Sequence, residues 1–181
     1  MSLSLVRLEP YSPRKPFDCG NSDLNEFFLN DSINYGKELL AVTYALESED
    51  ETIAYFAVSN DSIRAEDTSN SMRRKILKIL PFEKRGYKSH PAVKIGRFAV
   101  ATIYQRQGIG TKLMDFIKFF FIDKNKTGCR FIVVDAYKEA INFYKNNGFD
   151  FLTMNDKDKD TRLMYFDLIT FIRTSKSQTK D

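Results

Sequence analysis

The sequence predicts an α+β domain, and three observations carry that expectation. Alternating runs at residues 3–8, 40–46 and 52–58 read as strands, the last two joined through the acidic turn 47–51 as a hairpin. Arg97-Phe98-Ala99-Val100 reads as a strand that runs, through a short connector, into the glycine-rich helix start Gln105-Arg106-Gln107-Gly108-Ile109-Gly110-Thr111-Lys112. Then Arg130-Phe131-Ile132-Val133-Val134-Asp135, a β-branched and aromatic run, precedes a helical stretch with Ala140, Phe143 and Tyr144, a turn at Gly148 and a new strand from Phe149.

The elements follow in order. After the first strand, Pro10, Pro13 and Pro16 make an irregular connection that ends in Phe17-Asp18-Cys19-Gly20. A helix comes next. Asn21 or Ser22 caps it, Asp23 and Glu26 favour its positive end, and Leu24, Phe27, Phe28 and Tyr35 recur at helical spacing. Beyond the hairpin, residues 69–80 read as a basic helix with Met72, Ile76, Ile79 and Leu80 inward, and residues 81–91 as a polar loop before a strand at 93–101. The helix opened by Gly108 and Gly110 carries Ile109, Leu113, Phe116, Ile117 and Phe120 on one face. Strands at 149–154 and 162–168 close the chain around a solvated hairpin at 156–160. Residues 1–173 are expected to form one domain and residues 174–181 a polar tail.

Several function classes are excluded. The N-terminus lacks the charged-then-apolar pattern of a signal peptide and no apolar stretch is long enough for a bilayer, so a cytoplasmic protein without a membrane partner is expected. Cys19 and Cys129 read as reduced thiols and are too few for a metal site. His90 is the only histidine, and nothing around it has the pattern of a hydrolase triad. The alternating carboxylates of Asp156, Asp158 and Asp160 imitate a calcium loop, but Thr161 stands where that loop needs glycine and Asp167 where it needs glutamate. No metal is expected.

Charge is uneven. Residues 1–70 hold 5 Lys and Arg against 13 Asp and Glu, and residues 71–181 hold 23 against 11, giving −8 and +12. Arg73, Arg74, Lys75, Lys78, Lys84, Arg85 and Lys88 lie together with only Glu83 opposing them. Such a cluster suits a polyanionic partner through phosphate contacts, with Arg73, Arg74, Lys78, Lys84 and Arg85 as candidate nucleic-acid-binding residues; a solvated helix face is the plainer alternative.

The glycine turn points to a phosphate ligand, because Gly108 and Gly110 let backbone amides approach an anion at the positive end of the following helix. A dinucleotide fingerprint is absent, since Leu113 occupies the third glycine position, and no P-loop Gly-Lys-Ser/Thr follows. Another carrier of a diphosphate is indicated.

Together, the turn at residues 105–110 and the element Ala140, Phe143-Tyr144, Gly148-Phe149 resemble the GNAT superfamily of acetyl-CoA-dependent N-acetyltransferases. The resemblance implies a mixed, mostly antiparallel sheet of six to seven strands, flanked by helices, whose central strands splay apart to admit the pantetheine arm of acetyl-CoA. It implies a cofactor site made of Phe98, Ala99, Val100, Gln105, Arg106, Gln107, Gly108, Ile109, Gly110 and Thr111. The amides of residues 107–111 would hold the pyrophosphate, and the strand 98–100 would pair with the pantetheine amides. Phe143 is included, although its helical spacing reads equally as core. Tyr144 would be the catalytic residue, beside the thioester sulfur. One departure is Tyr137, where many members carry asparagine.

Phe17-Asp18-Cys19-Gly20, Leu24, Phe28, Thr43-Tyr44, Pro91-Ala92-Val93 and Asp135-Ala136 resemble a narrower group, the GNAT toxins that acetylate aminoacyl-tRNA, although that group usually has leucine at the position of Phe98. The partners implied are an amine acceptor, with aminoacyl-tRNA as one candidate, a small antitoxin protein, and a second copy of the chain in a homodimer. A protein N-terminus, a lysine or a polyamine remains an equal alternative as acceptor. The rival from another class is a non-catalytic module that binds acetyl-CoA or a protein. For the enzyme, direct transfer is expected, because neither cysteine lies in a nucleophile context.

Overall fold

The computed structural model of the protein describes residues 3–79, 88–125 and 127–172. Lys84, Arg85, Leu80, most of the expected polar loop and the tail 174–181 lie outside the described residues. The strands are β1 (Ser4–Leu8), β2 (Val42–Glu47), β3 (Thr52–Arg64), β4 (Ser89–Val100), β5 (Phe131–Tyr137), β6 (Asp150–Phe151) and β7 (Thr161–Asp167). The helices are α1 (Ser22–Glu26), α2 (Ser32–Lys37), α3 (Asn70–Ile79), α4 (Ile109–Ile122) and α5 (Ile141–Asn146). The strands form one mixed, mostly antiparallel sheet in the order β1-β2-β3-β4-β5-β7-β6. None of the described helices is long and apolar enough to cross a membrane.

The chain divides into two compact units, Met1–Ser59 with Ile95–Phe116, and Asn60–Lys94 with Ile117–Asp181. In the first, Phe17, Phe28 and Tyr55 make the centre of the core, their ring centroids 4.7 to 5.2 Å apart. Burying each such ring contributes about 1.5–3 kcal/mol. The Tyr55 hydroxyl keeps a partner by donating to the Leu24 carbonyl at 2.7 Å. Asn21 is the cap of α1, its side chain accepting the Leu24 amide at 3.1 Å. Between α1 and α2 the chain makes a π-helical segment, Phe27–Asp31. Phe27 and Phe28 are both buried, as their i+3 and i+4 spacing from Leu24 anticipates.

In the second unit, Ile63, Ile76, Ala92, Phe131, Val133, Leu152 and Tyr165 form the core, with Met72 packed against it. Two strands are longer than their sequence suggests. β3 continues to Arg64 and β4 begins at Ser89, and the ends meet where the Ala65 amide donates to the Lys88 carbonyl at 2.9 Å. Pro91 is accommodated inside β4, having no N–H to satisfy, and its carbonyl accepts the Arg130 amide at 3.0 Å.

Two expectations are corrected. Along α4 the buried residues are Leu113, Met114, Ile117, Lys118 and Phe121, while Phe116 and Phe119 are exposed and Phe120 is half-buried. The helix is apolar nearly all round, so periodicity leaves its inward face undecided. Lys118 is tolerated inside because its ammonium sits 4.8 Å from the Phe166 ring centroid and 5.4 Å from that of Phe171. The hairpin at 156–160 is also not simply solvated. Asp156 is buried, accepting Arg162 Nε at 2.8 Å and the Leu163 amide at 2.6 Å, and the Arg162 guanidinium lies 4.0 Å over Phe151. β6 covers two residues, Asp150–Phe151, rather than the expected 149–154.

Candidate active site

β4 delivers the chain to the glycine turn. Alternation along it puts Ala99 in the core of the first unit and leaves Phe98 and Val100 half-buried. Beyond Val100, the Ala101 amide donates to Ile53 at 2.8 Å and the Thr102 amide to Asp18 at 2.9 Å, fixing where a short 3₁₀ turn, Thr102–Tyr104, begins. The Gln105 side-chain amide then donates to the carbonyls of Cys19 at 3.1 Å and Val100 at 3.0 Å. Gln107 reaches back to the Ile103 carbonyl at 2.8 Å. These side chains therefore hold the turn in shape.

Within the turn, Arg106 and Gly108 adopt left-handed backbone, with φ of 60° and 79°. The first α4 hydrogen bond runs from the Lys112 amide to the Gly108 carbonyl at 3.1 Å. The backbone N–H groups of residues 106–111 meet no acceptor among the described residues. They open a 14-residue helix, whose N-terminus carries about half a positive charge. A Cβ on Gly108 would meet nothing within 4 Å, so space stands open over the amides. Gly110 and Ile109 are half-buried; Arg106, Gln107 and Thr111 are exposed. A row of donors at a helix N-terminus with open space at Gly108 has the chemistry that could hold a diphosphate, so the residues present fit that group.

The motif Phe17-Asp18-Cys19-Gly20 supports this turn from the same unit. Asp18 accepts the Gly20 amide at 2.8 Å and Asn25 Nδ2 at 2.7 Å, and these bonds hold its carboxyl below its ordinary pKa. Asn25 Oδ1 accepts the Cys19 amide at 2.9 Å and lies 3.1 Å from Cys19 Sγ. Burial pushes the Cys19 thiol up, leaving it protonated at neutral pH. Asn25 is a supporting residue that sequence reading missed; the signal available was its spacing from Asp18, one helical turn beyond the Asn21 cap.

Tyr144 lies in the second unit. β5 ends at Tyr137, itself partly exposed, and a 3₁₀ turn, Lys138–Ala140, leads into α5. Tyr144 is only 6% exposed, with ring centroids of Phe143 at 5.2 Å and Phe149 at 5.3 Å. Phe143 is half-buried. Gly148 ends the helix at φ 82°, a left-handed conformation that favours glycine, and a Cβ there would stand 3.0 Å from the Phe166 ring, close enough to press on it. Burial raises the Tyr144 pKa well above the ordinary tyrosine value. Its hydroxyl makes no hydrogen bond among the described residues. The side chain is thus a protonated donor without an acceptor among the described residues.

On α3, Arg73, Arg74 and Lys78 are exposed, whereas Lys75 is paired with Asp150 at 2.8 Å.

Comparison with known proteins places this geometry. A model of the acetyltransferase (GNAT) domain matches residues 40–150. The chain is similar in structure to a bacterial toxin, at 20% identity and a TM-score of 0.77 over 97% of this chain and 96% of the other. It is similar to a tyrosine-to-phenylalanine mutant of KacT, at 22% identity and 0.77 over 96% and 99%. A third is AtaT complexed with acetyl-methionyl-tRNAfMet, at 20% identity and 0.72 over 96% and 99%. No curated protein matches the sequence.

Proposed function

The chain belongs to the GNAT family of acetyltransferase domains, and from that premise we propose that it acetylates the amino group carried by an aminoacyl-tRNA. The acyl donor is acetyl-CoA. Bound, it supplies an acyl group activated as a thioester, with a thiolate as the departing group. The chain's own residues divide the remaining work. The free amides of residues 106–111 take the diphosphate, Gln105 keeps the turn braced against the end of β4, and Phe98, Ala99 and Val100 present the strand to the pantetheine arm. Phe143 lines the thioester end.

Tyr144 holds its proton at the hydroxyl oxygen because burial disfavours the tyrosinate, and it gives that proton to the departing sulfur. The acceptor amine attacks in its neutral form, its nitrogen forming the amide bond as the carbon–sulfur bond breaks, and releases a proton to water, from which Tyr144 recovers the proton it gave to the sulfur. Cys19, kept protonated by burial, is not the nucleophile, so the acyl group passes directly to the amine.

The observation that carries the tRNA acceptor is the exposed basic face of α3, Arg73, Arg74 and Lys78, on a fold shared with AtaT, which has been seen with acetyl-methionyl-tRNAfMet. This reading places the protein in the cytoplasm with a small antitoxin protein as its partner, in line with the likeness to a bacterial toxin. The test is thiol release from acetyl-CoA with charged tRNA, uncharged tRNA, a polyamine and a peptide with a free N-terminus. Release with charged but not uncharged tRNA is expected. Release only with the polyamine or peptide would move the acceptor to those amines, and silence with all of them would leave a cofactor-binding module.

A further inference from the structure

The second unit has a surface hollow in which cations from three separate segments converge. Arg64 from the end of β3, Arg73 from the first turn of α3, and Lys88 and His90 from the start of β4 line it, over a floor of the buried Ile63 and Ile76. Sequence reading assigned Arg64 and His90 no role in binding. Their distance along the chain hides the grouping, which exists because the extended ends of β3 and β4 meet where Ala65 bonds to Lys88.

We propose that this hollow binds one backbone phosphate of the RNA acceptor, anchoring the strand away from the chemistry; the inference rests on the tRNA reading above. Like charges gathered this closely repel unless an anion lies among them. Neither Arg73 nor Lys88 has an acidic partner among the described residues. Arg64 meets Glu66 at 3.6 Å, but both side chains are more than 60% exposed, and so weak a surface pair yields readily to a phosphate. Burial and the Arg130 guanidinium hold His90 below its ordinary pKa, so near neutral pH it adds no fourth charge to the hollow.

The α3 N-terminus is not what draws the anion. Ser69 already caps it, its hydroxyl accepting the Met72 amide at 3.2 Å and its carbonyl the Arg73 amide at 2.8 Å. The argument for a polymer over a single free anion is that basic residues continue past the hollow. Arg74 and Lys78 are exposed on α3 one turn apart, about 6 Å along the axis, where a second phosphodiester of the same strand would lie.

The experiment is fluorescence anisotropy of the full chain with a labelled tRNA acceptor-stem hairpin across a salt series. Arg64→Gln with Lys88→Gln should weaken binding about tenfold and flatten the salt slope by roughly one or two phosphate contacts. Charge-preserving Arg64→Lys with Lys88→Arg should restore it. Glu66→Gln should tighten binding, a gain that no folding defect imitates. Glutamine variants that bind with wild-type affinity and slope, with Glu66→Gln silent, would overturn the phosphate site while leaving the tRNA reading intact. A wild type that ignores the hairpin at low salt would overturn both. Displacement of the hairpin by micromolar inorganic phosphate would assign the hollow to a free anion and overturn the RNA assignment.

Discussion

Gln105 donates its side-chain amide to the Val100 carbonyl at 3.0 Å, closing the chain between the last residue of β4 and the glycine turn into a fixed loop. With the second bond to Cys19, Gln105 braces the turn. Each such exposed bond is worth about 0.5–1.5 kcal/mol. Gln105→Ala is therefore expected to lower the melting temperature by a few degrees and weaken coenzyme A less than about tenfold in calorimetry.

Gly108 separates conformation from charge. Its φ of 79° strains any other residue by about 1–2 kcal/mol, yet a Cβ there has open space. Gly108→Ala should keep measurable coenzyme A binding at some loss of stability. Gly108→Asp adds a carboxylate over the free amides and should abolish it. Equal affinities for the two variants would mean that the diphosphate is held elsewhere.

Tyr144→Phe should bind acetyl-CoA as before while turnover falls about 10²-fold or more, the size of a general-acid contribution. Because the folded pKa is raised, the neutral form persists, and no alkaline fall in rate below about pH 10 should trace to Tyr144. Stability runs the same way. Above about pH 10 the unfolded chain loses this proton while the folded chain keeps it, so the wild type should lose stability with rising pH faster than Tyr144→Phe. Identical alkaline denaturation curves would deny the burial effect.

The buried Asp156 and Arg162 pair makes a stability prediction. Arg162→Ala leaves Asp156 charged and unpaired inside, which costs about 3–5 kcal/mol. Adding Asp156→Leu to it should recover only part of the loss, since the Leu163 amide then lacks its acceptor. Denaturant titration of both variants measures the difference.

For the acceptor, Arg74→Glu with Lys78→Glu should lower acetylation of charged tRNA, and raising salt should do the same to the wild type. A wild type whose rate with charged tRNA is indifferent to salt would count against phosphate contacts.

The glycine turn and the tyrosine element were legible in the sequence because each is local: Gly108, Gly110 and Tyr144 sit on elements whose signals lie within a few residues. The inward face of α4 was not, because Phe116, Phe119 and Phe120 compete for it and only tertiary packing decides. Nor was the burial of Asp156, which depends on Arg162 arriving across a hairpin. The support that Asn25 gives to Cys19 and Asp18, and the grouping of Arg64 with Lys88, depend on contacts between residues that no periodic pattern connects.

The Tyr144 ring fills its place among Phe143 and Phe149, while the hydroxyl makes no hydrogen bond to the described chain. Folding draws on the ring alone. On the role proposed for Tyr144, a chain that carried phenylalanine there would fold as well and still sequester the cofactor, so one nucleotide change would separate an enzyme from a decoy. On that proposal, only selection on the chemistry itself would keep the oxygen in place.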